Sequence, residues 1–147
     1  MILPAEPSGR GSLVVRCIWA ACLLVATANH ARILIEHGLW YDYRGVFPAS
    51  AVYWTSLTFI DPIVATLLFA RPRLGIVATV LLITTNVVHN LAVAAAYSPD
   101  GTLLARAASD PFILSQVGFM LFVFVTAKPA WRGTLPLREG HSGSAAP

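Results

Sequence analysis

Asp61, His30 and His89 are the side chains best suited to acid and base chemistry, because each stands in a stretch otherwise empty of Asp, Glu, Lys and Arg. A carboxyl group and an imidazole can pass a proton to and from a bound molecule, while amides and hydroxyls fix its orientation. The amides and hydroxyls that accompany them are Asn29, Thr58, Asn86, Asn90 and Gln116, with Thr84 and Thr85 nearby. Asp61, His89 and His30 are therefore the candidate catalytic residues. Asn29, Thr58, Asp61, Asn86, His89, Asn90 and Gln116 are the candidate ligand-binding set.

The elements that must position these residues follow from composition. Of 147 residues, 56% are hydrophobic and only 12% charged, and the mean hydropathy is +0.69. Ordinary soluble domains carry about 25% charged residues. So apolar a chain argues against a soluble enzyme and against disorder, which needs low hydrophobicity. A net charge of +3 without a basic stripe also argues against nucleic acid as a partner.

Charge-free runs extend over 17–31, 45–60, 62–70, 74–99 and 111–127. A helix needs about 20 mainly apolar residues to cross a bilayer. The expected fold is all-α, a polytopic four-helix transmembrane bundle with spans at about 13–31, 49–70, 74–97 and 111–127. Residues 1–12 are expected to be a flexible segment, 13–128 the transmembrane domain, and 129–147 a disordered cytoplasmic tail. Asp110 and Pro111 predict a capped start to the fourth span, and Arg71-Pro72-Arg73 a tight break between the second and third. Ile33 to Glu36 should continue the first helix until Gly38 ends it, and Leu103 to Ala108 should form a short interfacial helical turn.

Arg10, Arg16, Arg71, Arg73, Lys128, Arg132 and Arg138 fall on one side of such a bundle and only Arg32, Arg44 and Arg106 on the other. The excess of basic residues predicts that both termini are cytoplasmic, and nine Arg to one Lys, with much Ala, points to a bacterial inner membrane. A competing reading makes the first span a signal peptide, with Ala26-Thr27-Ala28 as a small-residue cleavage site. Cys17 and Cys22 have no metal-type spacing and read as small membrane hydrophobes.

Depth and rotation bring the polar residues together. At 1.5 Å per residue from the cytoplasmic charges, Asp61, Gln116, Asn86, His30 and His89 lie about 15, 18, 20, 21 and 24 Å up. All belong between the midplane and the outer leaflet. Asn86, His89 and Asn90 stand at i, i+3 and i+4, and Thr58 and Asp61 at i and i+3, so each set shares a helix face. Pro62 removes its own N–H and leaves the carbonyl of Thr58 without its helical donor.

A carboxyl group in hydrocarbon is costly unless protonated, paired or in a wet cavity, so Asp61 reads as functional. Asn, Gln, Thr and His can also act as packing glue between helices. The favoured reading is a cavity for a small lipophilic ligand, with Asp61 and His89 at its polar end and Trp54, Phe59, Phe112 and Phe119 as apolar walls. An intramembrane acid–base enzyme acting on a lipid or isoprenoid is the first alternative. A b-type cytochrome with His30 and His89 as ligands of haem b is the second. A metal site of His30, His89 and Asp61, or of Glu36 and His37, is weaker. Besides the lipid bilayer and that ligand, the partners considered are a second copy in a homodimer and a larger membrane complex, in which the chain would be an assembly subunit.

Overall fold

The computed structural model describes residues 9–97 and 102–134. They form α1 (Gly9–His37), α2 (Pro48–Ala70), α3 (Pro72–Ala96), the short α4 (Leu103–Ser109) and α5 (Pro111–Arg132). Among the described residues, four helices are long and apolar enough to cross a membrane: α1, α2, α3 and α5.

Their ends are set by local chemistry. Asp110 caps α5, its carboxylate accepting from the N–H groups of Phe112 (2.8 Å) and Ile113 (3.4 Å), with Pro111 in the first turn. Gly38, at φ +81°, ends α1 and returns its N–H to the carbonyl of Leu34 at 2.9 Å. Arg71 alone separates α2 from α3. Because Pro72 has no N–H to give, the carbonyl of Leu68 loses its helical partner, and a guanidinium N–H of Arg16 on α1 donates to it at 2.7 Å. A proline break is thereby converted into a tie between helices.

The helices extend beyond the expected spans. Residues 9–12 and 129–132, assigned above to flexible ends, are helical. The Ser12 hydroxyl donates to the Ala130 carbonyl at 2.6 Å, so the two helix ends hold each other in place. Residues 1–8, the tail from 135 and the turn Pro99-Asp100-Gly101 lie outside the described residues.

The four long helices form a closed ring in which α1 packs on α2 and α5, and α3 packs on α2 and α5. The densest packing lies toward the end where α1 and α3 begin. Trp19, Leu23, Val64, Leu68, Ile76 and Val123 meet there, and the indole N–H of the fully buried Trp19 donates to Thr126 at 3.1 Å. Arg10, Arg16, Arg71, Arg73, Lys128 and Arg132 gather at this end, and the acids Glu36, Asp42 and Asp110 belong to the opposite one. On the outward faces Val14, Val25, Val52, Ile63, Leu81, Val88, Leu121 and Val125 are all more than half exposed. Exposed apolar surface of this extent marks faces that meet a membrane or another protein.

At Gly75 the backbones of α2 and α3 approach so closely that a Cβ atom would collide with the backbone of Leu68. Gly75→Val should therefore force α2 and α3 apart and cost about 1–3 kcal/mol of stability, as overpacked cores do. Thermal unfolding of the purified protein in mild detergent measures this loss.

Candidate functional site

Beyond the packed half, α1 and α5 no longer close on each other. The polar contacts between them, Ser12 to Ala130 and Trp19 to Thr126, both lie near the basic end. A cavity of about 520 Å³ begins past them. From α1 it is lined by Cys22, Val25, Ala26, Asn29 and His30, from α2 by Asp61, from α3 by Leu82, Ile83 and Asn86, and from α5 by Phe112, Ser115, Gln116 and Phe119. All four long helices thus contribute to it. With Ala21 and Leu23, which also line it, the α1 residues cover one broad face of that helix.

The lining changes character from inside to outside. His30 and Asp61 are 7% and 4% exposed, whereas Val25, Phe112 and Ser115 on the flanks of α1 and α5 are exposed. The cavity therefore opens sideways, between α1 and α5. At its inner end the Nδ1 atom of His30 is buried without a hydrogen-bond partner, and Asp61 has no hydrogen bond or ion pair among the described residues. Two ionisable side chains thus share one space with no protein partner to satisfy them.

Asn90 sits behind the wall and is 8% exposed. Its oxygen accepts from the indole N–H of Trp54 at 2.8 Å, and its NH2 group donates to the side-chain oxygens of Gln116 at 2.6 Å and Asn86 at 3.3 Å. One amide thereby joins α2, α3 and α5 at a single level. Its hydrogen-bonding capacity is spent on the protein, which makes Asn90 a positioning residue rather than a ligand contact.

His89 lies elsewhere. Its ring stands 4.4 Å from that of Tyr53 and 5.8 Å from that of Trp54, centroid to centroid, with Nε2 buried and unpartnered. One residue of α-helix is a rotation of about 100°, and that step separates His89 from Asn90 and carries it onto the flank facing α2. His30 lines the cavity between α1 and α5, whereas His89 lines neither it nor the space under the loop 38–47. Thr58 is also off the cavity, its hydroxyl buried and unpartnered. Thr84 and Thr85 bond back to carbonyls of their own helix, so they are not glue between helices.

Of the expected apolar walls, Phe112 and Phe119 line the cavity, whereas Phe59 is 56% exposed on the outer side of α2. Trp54 lines a second space of about 430 Å³ under the loop 38–47, together with His37, Tyr41, Tyr43, Arg44 and Tyr97. Tyr43 and Arg44 both have positive φ there, and Tyr43 packs its ring 5.0 Å from that of Trp54. Glu36 and His37 form only an exposed pair at 4.0 Å. No group of three His, Cys, Asp or Glu residues able to hold a metal occurs among the described residues.

Cys22 and Ser115 are cavity residues that sequence reasoning missed. The signal for Cys22 is its spacing of four from Ala26 and eight from His30, which places all three on one face. Ser115 precedes Gln116, and only the rotation of α5 shows that both reach the cavity.

If Asn90 holds three helices together, Asn90→Leu should lower stability by about 1–2 kcal/mol, since it strands the indole N–H and the Gln116 amide. Asn29→Leu, at the cavity wall, should cost less than about 0.5 kcal/mol. Unfolding in mixed micelles, followed by Trp fluorescence, compares the two. No family model, curated protein or solved structure matches the chain, so its functional reading rests on this geometry.

Proposed function

We propose that this is a multi-pass protein of the bacterial inner membrane that binds a small lipophilic molecule in the cavity between α1 and α5. The observation that carries this reading is the form of the cavity: apolar and open at its flank, and ending on the unpartnered Asp61 and His30. A space of about 520 Å³ is within the usual range for ligand pockets, which combine apolar walls with a few placed polar groups. A molecule entering from the hydrocarbon would keep its apolar body against Phe112, Phe119 and Val25 while its head reached the polar end.

Membrane insertion is supported by the apolar outward faces and by helix lengths of 22 to 29 residues. The basic residues at the end where α1 begins favour that end as cytoplasmic, which makes both termini cytoplasmic. Impermeant maleimide tests this orientation in a variant whose Cys17 and Cys22 are replaced by Ala. Arg44→Cys in that background should label in intact spheroplasts, and Arg71→Cys only after the membrane is opened; the reverse pattern would invert the topology.

A second reading is favoured by the sharing of one cavity by His30 and Asp61. An acid and a base beside a bound lipid or isoprenoid would support proton transfer, for example in isomerisation. Native mass spectrometry of the protein released from its own membranes separates the cases. The wild type should carry a lipophilic adduct, Ala26→Trp should exclude it by filling the cavity, and Asp61→Asn should reduce it. Conversion of that adduct to a product of different structure, abolished by Asp61→Asn, would establish the catalytic reading.

A further inference from the structure

The direction of the hydrogen bonds behind the cavity wall specifies the head group of the ligand, provided the cavity is the ligand site proposed above. The indole N–H of Trp54 can donate and cannot accept. It therefore turns the oxygen of Asn90 toward itself, at 2.8 Å, and the NH2 group of Asn90 away. That NH2 group donates to Gln116 and to Asn86, so both of those side chains turn their oxygens back toward Asn90. Their own NH2 groups are then the ends left to face the cavity that both residues line. Neither nitrogen has a protein partner among the described residues. Trp54, without touching the cavity, fixes one wall as a pair of hydrogen-bond donors.

The rest of the lining selects among head groups that accept such bonds. Among the described residues no Lys or Arg lines the cavity. A phosphate or carboxylate head would meet the Asp61 carboxyl with only the His30 imidazole beside it as a source of positive charge. An ammonium head would meet two N–H donors on α3 and α5. An uncharged carbonyl oxygen carries two acceptor lone pairs and can take one N–H from each amide. Gln116 and Asn86 accept from the same nitrogen of Asn90 and both line the cavity, so their amide nitrogens belong to one wall. We infer that the cavity takes an uncharged lipophilic carbonyl compound, a ketone, quinone or amide, with its oxygen on Gln116 and Asn86 and its apolar body along Phe112 and Phe119.

Benzophenone tests this, because its carbonyl reports hydrogen bonding by its stretching frequency and cross-links to nearby C–H bonds under near-ultraviolet light. The full chain in phosphatidylcholine nanodiscs is given benzophenone labelled with 13C at the carbonyl, which separates its band from lipid esters. The bound carbonyl should absorb at lower frequency than in protein-free nanodiscs, and cross-links should map to α1 and α5 beside the cavity. Gln116→Leu and Trp54→Phe should each move the band back and weaken binding by about two- to tenfold, the worth of one hydrogen bond. Trp54→Phe also alters packing against His89, so helicity and thermal midpoint are recorded for each variant, and Gln116→Leu keeps the Trp54–Asn90 bond intact.

Benzophenone that binds, and is excluded by Ala26→Trp, yet shows an unshifted band or no response to Gln116→Leu, overturns the carbonyl assignment and leaves the ligand cavity standing. Tighter binding of dodecylammonium, lost in Asp61→Asn, overturns it in favour of a cationic ligand. Absence of cavity cross-links, with Ala26→Trp indistinguishable from wild type, overturns the ligand-site reading itself.

Discussion

The Trp54 indole can donate a hydrogen bond and cannot accept one, and the polarity of the interior follows from that asymmetry. Its bond to Asn90, and those from Asn90 to Gln116 and Asn86, tie α2, α3 and α5 together at one level. In an apolar environment a broken bond has no water to replace it, so each partner holds the next in one orientation. Helix α1 stands outside this network. Among the described residues its side-chain hydrogen bonds to other helices come from Ser12, Arg16 and Trp19, all in its first half. The second half of α1 is left as the wall that encloses the cavity without being tied across it.

The two halves of the bundle thus solve different problems. Toward the basic end, small and branched residues pack around Trp19, and the carbonyl freed by Pro72 is taken up by Arg16. Toward the other end, polar groups are brought inside and only some are satisfied. Asn90 has both its N–H donors and its oxygen engaged, whereas Nδ1 of His30 is unpartnered and Asp61 makes no hydrogen bond among the described residues. Unsatisfied polar groups beside an open space are costly in a merely structural interior, and a bound molecule relieves that cost.

Much of this was legible in the sequence. Charge-free runs located the four long helices, Asp110 and Gly38 their ends, and depth from the basic residues placed Asp61, Gln116, Asn86, His30 and His89 near one level. The first four of these line one cavity, and His89 does not. What the sequence withheld was rotation. Helices with apolar residues on every side carry no stripe to show which flank meets a neighbour, so Phe59 was placed inside and lies outside. His89 and Asn90 differ by one residue and face different surroundings, and only the packing of Tyr53 and Trp54 distinguishes them. The helical stretch past Pro129 was likewise hidden, because a tail of linker composition masks the contact between Ser12 and Ala130.

The space between α1 and α5 is proposed to hold a molecule drawn from the membrane. A structure by electron cryo-microscopy of the protein extracted in its native lipid, with a rigid binding fragment to add mass, tests it most directly. Elongated density is expected inside the cavity, with its compact end against Asp61, Asn86 and Gln116 and its tail leaving between Val25 and Phe112. A cavity closed by α1 moving onto α5, with Asp61 bonded to His30 and no density between them, would contradict it.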